Sequence, residues 1–430
     1  MIASLAAAIF WLLTAFTIIV LLAHNVLQKD WFSIFTYILI GVYLPLLMSF
    51  FDWSDYHVAD RPVIFYFIFI IFDICCIFFS ILHYEPIDII NITFTKNRYI
   101  FPVEVYDIGY IAAVLLENKM VSGYFVPAIH FIDVHTERAS GLWFLTTAVY
   151  VFVVLNIVEF LATKRIRYVV YAVIVFIFNI VTKSSRIDAA KCVIEILSFI
   201  LFYYFSKRNT SYIGNETITK KKSKIPIVVL LTVLVYYLIN QAIKLGNARM
   251  NSFGRYHTVY SDGIHYKGPE VLGEILTYYY GYFAMSFDNL AYNLKNVPIR
   301  PNFVGLNFFR GFYFGLLKFN KLFGLNGSEA YRANHIRIQG AAVTTGFWEA
   351  YYDYDVLVII PFLICFFIAY YLRNKITRGK IRVVDLVLYF YWIPLWTLMS
   401  FDNRVCDYEV VLQVIMIYIL FSKRYTISYE

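Results

Sequence analysis

Residues 63–82 read VIFYFIFIIFDICCIFFSIL, twenty positions without a Gly or a Pro. As an α-helix this stretch is about 30 Å long, the thickness of a bilayer's hydrocarbon core. Comparable apolar runs occupy 2–22, 31–51, 141–161, 168–181, 188–205, 225–243, 356–372, 383–400 and 409–421. The sequence therefore predicts an all-α polytopic membrane protein with about ten transmembrane helices. The run at 2–22 has no basic start and no small-x-small cleavage pattern, so it reads as a span and not as a removable signal.

Composition agrees with this reading. Of 430 residues, 60% are hydrophobic, 20% aromatic and only 15% charged, against about 25% charged in soluble domains. A disordered chain is excluded, because such chains lack the apolar surface to fold. The formal charge of +8 would imply nucleic acid only if the basic residues clustered on a water-facing domain. They lie instead in loops, so no nucleic-acid partner is expected. Cys75, Cys76, Cys192 and Cys365 fall inside apolar runs and Cys406 in a short polar loop. Neither a disulfide framework nor zinc spacing results, and no metal or cofactor is expected.

Orientation follows from Lys and Arg in short loops, since positive charge resists translocation. Lys164, Arg165 and Arg167 fill one loop, and Lys207, Arg208, Lys220, Lys221, Lys222 and Lys224 another. More basic residues lie in 373–382, and Lys423 and Arg424 follow the last span. Ten spans put all of these on one side, which makes both termini cytoplasmic. The chain then divides into N-terminal spans at 1–82, a first extracytoplasmic segment at 83–140, and further spans at 141–243. A large extracytoplasmic segment at 244–355 and the last three spans with a cytoplasmic tail at 356–430 complete it. The large segment, before the eighth span, holds 13 of the 19 glycines, which suits a turn-rich domain. Within it, 271–287 and 303–324 are apolar, aromatic and interrupted by charge, the pattern of interfacial or re-entrant helices.

Four clusters could carry chemistry. The first, Thr182-Lys183-Ser184-Ser185-Arg186-Ile187-Asp188, is a tight outer turn between two spans. Lys183 and the Arg186 guanidinium there could hold a lipid-linked phosphate; the bland alternative is an interfacial anchor with Arg186 paired to Asp188. The second places Lys244, Arg249, Arg255 and His257 after the seventh span, with Gly246 and Gly254 permitting close backbone approach to an anion. The third joins Tyr331-Arg332-Ala333-Asn334-His335-Ile336-Arg337 to Thr345-Gly346-Phe347-Trp348-Glu349-Ala350-Tyr351-Tyr352-Asp353. If the latter is helical, Glu349 and Asp353 stand one turn apart on one face. Either of them, or His335, could accept a proton from a sugar hydroxyl. Trp348 and Tyr351 suit either an interfacial belt or a sugar face. The fourth is the acidic set Glu85, Asp88, Glu104 and Asp107, for which solvated surface or local pairing is the favoured reading.

Three of these features resemble a known family. Lys183-Ser184-Ser185-Arg186 opening a span is similar to the Gly/Ser-Arg-Ser turn of bacterial oligosaccharide repeat-unit polymerases, the Wzy-type O-antigen and capsule polymerases. The large outer segment between a middle span and a late one is similar too. So is the stretch Thr345 to Asp353, where the family has Thr-x-Phe-Gly-x-x-Tyr-x-Asp-Phe-Gly. This chain departs by carrying Tyr354 and Asp355 after the Asp. The resemblance runs from about Gly141 to Glu430 and is mainly architectural.

What it implies is a glycosyltransferase of the bacterial cytoplasmic (inner) membrane, with an extracytoplasmic active site. A growing glycan would pass from undecaprenyl diphosphate to the non-reducing end of another lipid-linked repeat unit. Lys183, Arg186, Arg249, Arg255 and Arg337 would stabilise the diphosphate without a metal ion. His335, Glu349 and Asp353 would be candidate bases, and Tyr331, Trp348 and Tyr351 would contact glycan. The partners are the undecaprenyl-diphosphate-linked oligosaccharide and the bilayer, and a chain-length regulator is left open as another. Competing readings are a polyprenyl-phosphate-dependent glycosyltransferase, an O-antigen-type ligase and, in another class, a lipid-linked oligosaccharide flippase. Internal pseudo-symmetry and short outer loops would mark the flippase, and neither is evident.

Overall fold

A computed structural model describes residues 2–28, 30–82, 92–97, 101–126, 142–183, 186–206, 264–269, 274–299, 301–316, 345–377, 381–407 and 409–429. Most of these are helical. The apolar runs appear as Ile2–Leu27, Ile34–Met48, Val63–Ile81, Val149–Thr163, Arg167–Lys183, Arg186–Ser206, Ile359–Thr377, Val383–Leu398 and Val410–Phe421. The run at 225–243 lies outside the described residues. Three helices, Ala3–Leu27, Val63–Ile81 and Ile359–Thr377, are long and apolar enough to cross a membrane. On the first, Leu5, Ile9, Leu12, Phe16 and Ile19 form an exposed stripe at helical spacing. An unbroken apolar stripe of this kind suits lipid and not water.

Between helices in lipid, close packing replaces the hydrophobic effect as the adhesive. The core accordingly is aromatic. Phe69, Phe72 and Phe347 interlock with Phe362, with centroids 4.9 Å apart for Phe69–Phe347 and 5.2 Å for Phe72–Phe362. Such pairs contribute about 0.5–1.5 kcal/mol each beyond area burial. Gly41 shows how near two backbones come: a Cβ there would meet the Thr397 Cα at 2.2 Å. The Ile34–Met48 helix, widened to a π turn over Leu39–Tyr43, thus rests directly on the 3-10 turn Ile393–Leu398.

One helix is not evident among the apolar runs. Val103–Ser122 is twenty residues long and carries Glu104, Asp107, Glu117 and Lys119. Its acids are matched by other elements. Glu104 pairs with Arg167 at 3.1 Å, Asp107 accepts from Asn156 Nδ2 at 2.8 Å, and Glu117 accepts from the Thr146 hydroxyl. Local pairing therefore accounts for the two members of the acidic set that are described. Glu85 and Asp88 lie outside the described residues.

Three contacts bear on orientation. Strand Ile92–Lys96 pairs antiparallel with Tyr425–Tyr429, Thr95 opposite Thr426, although the sequence reading sets 83–140 and the C-terminal tail on opposite faces. Lys96 and the Tyr425 hydroxyl meet at Glu159, the latter at 2.6 Å. Asp30, after the first helix, pairs with Arg373 near the end of helix Ile359–Thr377. Residues 53–58, between the second and third helices, bond to the large segment. The Ser54 hydroxyl donates to Ile264 O at 2.6 Å, Lys267 N to Trp53 O at 2.8 Å, and Val58 N to Asp288 at 3.0 Å.

Within the large segment, Glu274–Tyr279, a π turn at Tyr280–Ala284 and Met285–Asn296 follow one another without a break. The expected helix at 271–287 is part of this longer one. Of the 303–324 stretch, a short π-helical segment at Gly311–Leu316 is seen.

Candidate functional site

Arg310 is the centre of the most highly charged part of the interior. It is 5% exposed, and its guanidinium engages three carboxylates: Glu349, Asp402 at 3.3 Å and Asp407 at 3.4 Å. Arg404 bridges the same two aspartates, 3.2 Å from Asp402 and 2.6 Å from Asp407. Asn403 completes the web, donating from Nδ2 to Glu349 Oε2 at 2.9 Å and to Phe308 O at 2.8 Å. Two guanidinium groups thus face three carboxylates. Buried charges persist when paired and hydrogen-bonded in this way.

The backbone makes room for the web. Gly311 N donates to Cys406 O at 2.9 Å, and a Cβ on Gly311 would meet Asp407 O at 2.1 Å. Gly346 N donates to Met399 O at 2.9 Å, which docks the start of helix Gly346–Tyr354 against the 393–403 turn. That helix stops at Asp355, where φ is 49°. It does not run on into Ile359–Thr377.

Glu349 and Asp353 do stand one turn apart on this helix, as expected. Their surroundings differ from those of a free base. Burial raises the Glu349 carboxyl to about 8, against the pull of Arg310, with Asp402 adding to the rise. Asp353 has no exposed surface. Its oxygens accept from Asn302 Nδ2 at 2.6 Å, Asn307 N at 2.8 Å, Asn307 Nδ2 at 2.5 Å and Phe308 N at 2.8 Å. Burial raises its carboxyl as well, and these bonds oppose the rise. With both oxygens committed to the 302–308 turn, Asp353 anchors that turn. Trp348 is likewise wholly buried, its ring 5.5 Å from Tyr352, so it offers no face to a sugar. Tyr351 is half-buried. Arg249, Arg255, Tyr331, His335 and Arg337 lie outside the described residues.

The loop 402–409, DNRVCDYE, escapes the sequence reading, which notes only its cysteine. It joins two of the motifs. Asp402, Asn403 and Asp407 hold Arg310 and Glu349, while Glu409 pairs with Lys191 at 2.7 Å. Lys191 lies five residues along the helix that Arg186 opens, roughly 7.5 Å of rise. Lys183 closes the preceding helix. The helix that Arg186 opens and the Gly346–Tyr354 helix thus meet the same loop at one end of the bundle. Four charges in eight residues between two apolar runs are the available signal. Lys191, Glu195, Glu409 and Gln413, together with Val149 and Tyr150, line a narrow crevice.

Comparison of the chain with protein-family models, with curated proteins and with solved structures returned no match.

Proposed function

We propose that the chain is an oligosaccharide repeat-unit polymerase, transferring a growing glycan from undecaprenyl diphosphate to a lipid-linked repeat unit at the extracytoplasmic face of a bacterial membrane. One observation supports this above the others. The two short motifs that carry the resemblance are far apart in sequence, yet the helix opened by Arg186 and the 345–353 stretch are tied to a single loop, 402–409. Cations and a carboxylate web at one end of a lipid-facing bundle suit a substrate with a charged diphosphate and a membrane-bound tail.

In this reading Arg186 and Lys183, with Arg249, Arg255 and Arg337, stabilise the charge that develops on the leaving diphosphate. Glu349 positions Arg310 and the 402–409 loop. Asp353 shapes the 302–308 turn, and Tyr351 remains the glycan contact of the 345–353 stretch.

The orientation is revised in the same reading. Val103–Ser122 is a further crossing, its charges neutralised by neighbours, and the three helices before it run opposite to the order first read. The Ile2 end and residues 49–62 then face outside. Asp30, strand Ile92–Lys96, the basic loops and strand Tyr425–Tyr429 all face the cytoplasm. Every pairing described above joins groups on one side.

Arg186→Ala tests the function. The expected result is loss of polymer with single lipid-linked repeats accumulating on the outer face, at normal protein level. Normal chain length would sink the reading. Finished polymer retained on the carrier would point to a ligase, and inward-facing repeats to a flippase.

A further inference from the structure

Outside the Arg310 web, a second charged group lies where the 49–62 loop meets helix Met285–Asn296. Asp288, 1% exposed, gathers three nitrogens around Oδ1: Val58 N at 3.0 Å, Arg61 Nη2 at 3.3 Å and His57 Nδ1 at 3.3 Å. Arg61 is fully enclosed, sandwiched at 3.9 Å and 4.6 Å from the Phe50 and Phe65 rings. Its Nη2 also donates to Ser49 O at 2.5 Å. This cation gives the buried Asp288 carboxylate a partner of opposite charge.

His57 differs from both partners in keeping access to solvent, with its side chain 12% exposed. Nδ1 is buried 3.3 Å from Asp288 Oδ1 without a hydrogen bond, so the exposure belongs to the other atoms of the ring. With the carboxylate on the Nδ1 side, Nε2 lies on the side of the ring away from it. Aromatic rings line the surface beside it. Trp53 stacks on the half-exposed Phe51 at 4.9 Å, Tyr56 lies 5.2 Å from His265, and the half-exposed Asp55 carboxylate pairs with His265 and Lys267. Exposed aromatic faces beside charged groups suit the apolar faces and hydroxyls of a pyranose. The Asp288 helix also touches the Glu349 helix, through Phe287 and Phe347 at 6.3 Å. The helices that carry the two charged groups are therefore in contact.

We infer that the 51–57 loop receives the acceptor sugar and that His57 is the catalytic base of the transfer, with Asp288 and Arg61 as positioning residues. The inference rests on the polymerase reading and deepens it. The acceptor hydroxyl gives its proton to His57 Nε2 as its oxygen bonds to the donor's anomeric carbon. The bond from that carbon to the diphosphate oxygen breaks, and the diphosphate leaves with the electron pair. His57 then returns the proton to solvent.

The test uses the full chain in membranes, with lipid-linked repeats extracted from cells deleted for its gene. His57→Gln is expected to lower kcat about 100-fold, with KM for the acceptor repeat within about twofold and membrane protein level unchanged. Asp288→Asn is expected to lower kcat less, and the double variant to be no slower than His57→Gln alone, since the two act as one unit. A wild-type rate in His57→Gln, while Arg186→Ala abolishes transfer, would overturn the assignment of His57 alone. Should deletion of the gene and Arg186→Ala both leave polymer length normal, the polymerase reading fails and the assignment goes with it. Additive losses in the double variant would overturn the positioning role of Asp288.

Discussion

Arg310 and Glu349, separated by thirty-nine positions in the chain, meet in a hydrogen-bonded contact that is closed off from solvent and shared with the 402–407 turn. Removing the cation leaves Asp402 and Asp407 to Arg404, and Glu349 to Asn403. Arg310→Ala is therefore expected to destabilise the fold by about 3–5 kcal/mol, the usual cost of stranding a buried charge. Thermal unfolding in detergent measures it. A melting temperature equal to wild type would show that the web adds nothing to stability.

The Glu349 carboxyl predicts a pH dependence of definite sign. Burial first, then the neighbouring Asp402 charge, hold it at about 8, above its usual value of 4.5. Between those values the folded state binds more proton than the unfolded state, so this group's contribution is full at acid pH and is lost as pH rises through 8. Stability measured from pH 5 to 9 should decline across that window in the wild type and flatten in Glu349→Gln. An unchanged slope in the variant would assign the decline to other groups.

The strand pairing gives a geometric prediction about sidedness. Thr95 and Thr426 are opposed in the Ile92–Lys96 and Tyr425–Tyr429 ladder, and opposed residues of an antiparallel pair lie within disulfide reach. Thr95→Cys combined with Thr426→Cys should cross-link under mild oxidation, and neither introduced thiol should react with a membrane-impermeant reagent applied from outside. Labelling from outside in the single variant Thr95→Cys, with none in Thr426→Cys, would restore the orientation first read from the loops.

Gly311 supplies a steric test of the site. A methyl group at this position would overlap Asp407 O, and overpacking of this kind typically costs about 1–3 kcal/mol. Gly311→Ala should lower thermal stability and reduce polymer together, because the loop holding Arg310 would be pushed away. Gly109→Ala is the control, since a Cβ there meets nothing within 4 Å. Equal effects from both would mean that the overlap at Gly311 is relieved without consequence.

Much of the bundle is legible in the sequence because lipid imposes a simple rule on helix length and polarity. Each described apolar run is a helix. Val103–Ser122 escapes because its charges argue against a span, and only partners distant in sequence, Arg167, Asn156 and Thr146, neutralise them. Counting that helix as a crossing, as proposed above, inverts the order of everything before it, since alternation propagates a single miscount. The site shows the same limit. Glu349 and Asp353 stand out by type and spacing, which say nothing of whether Arg310 or the 302–308 turn consumes their lone pairs. Asp402 and Asp407 lie in a loop too short to suggest a domain. His57 has no local signal at all, because the residue that orients it, Asp288, is 231 positions later in the chain.

The small sheet also sets an order of events. Asn97 and Thr426 are separated by 329 positions, so the strand at Ile92–Lys96 is synthesised and delivered long before its partner exists. Contacts of such separation form late, because the chain between must first be organised. The bundle thus forms with that strand edge open, and pairing by Tyr425–Tyr429 acts as a latch drawn across one end of it once the helices are in place.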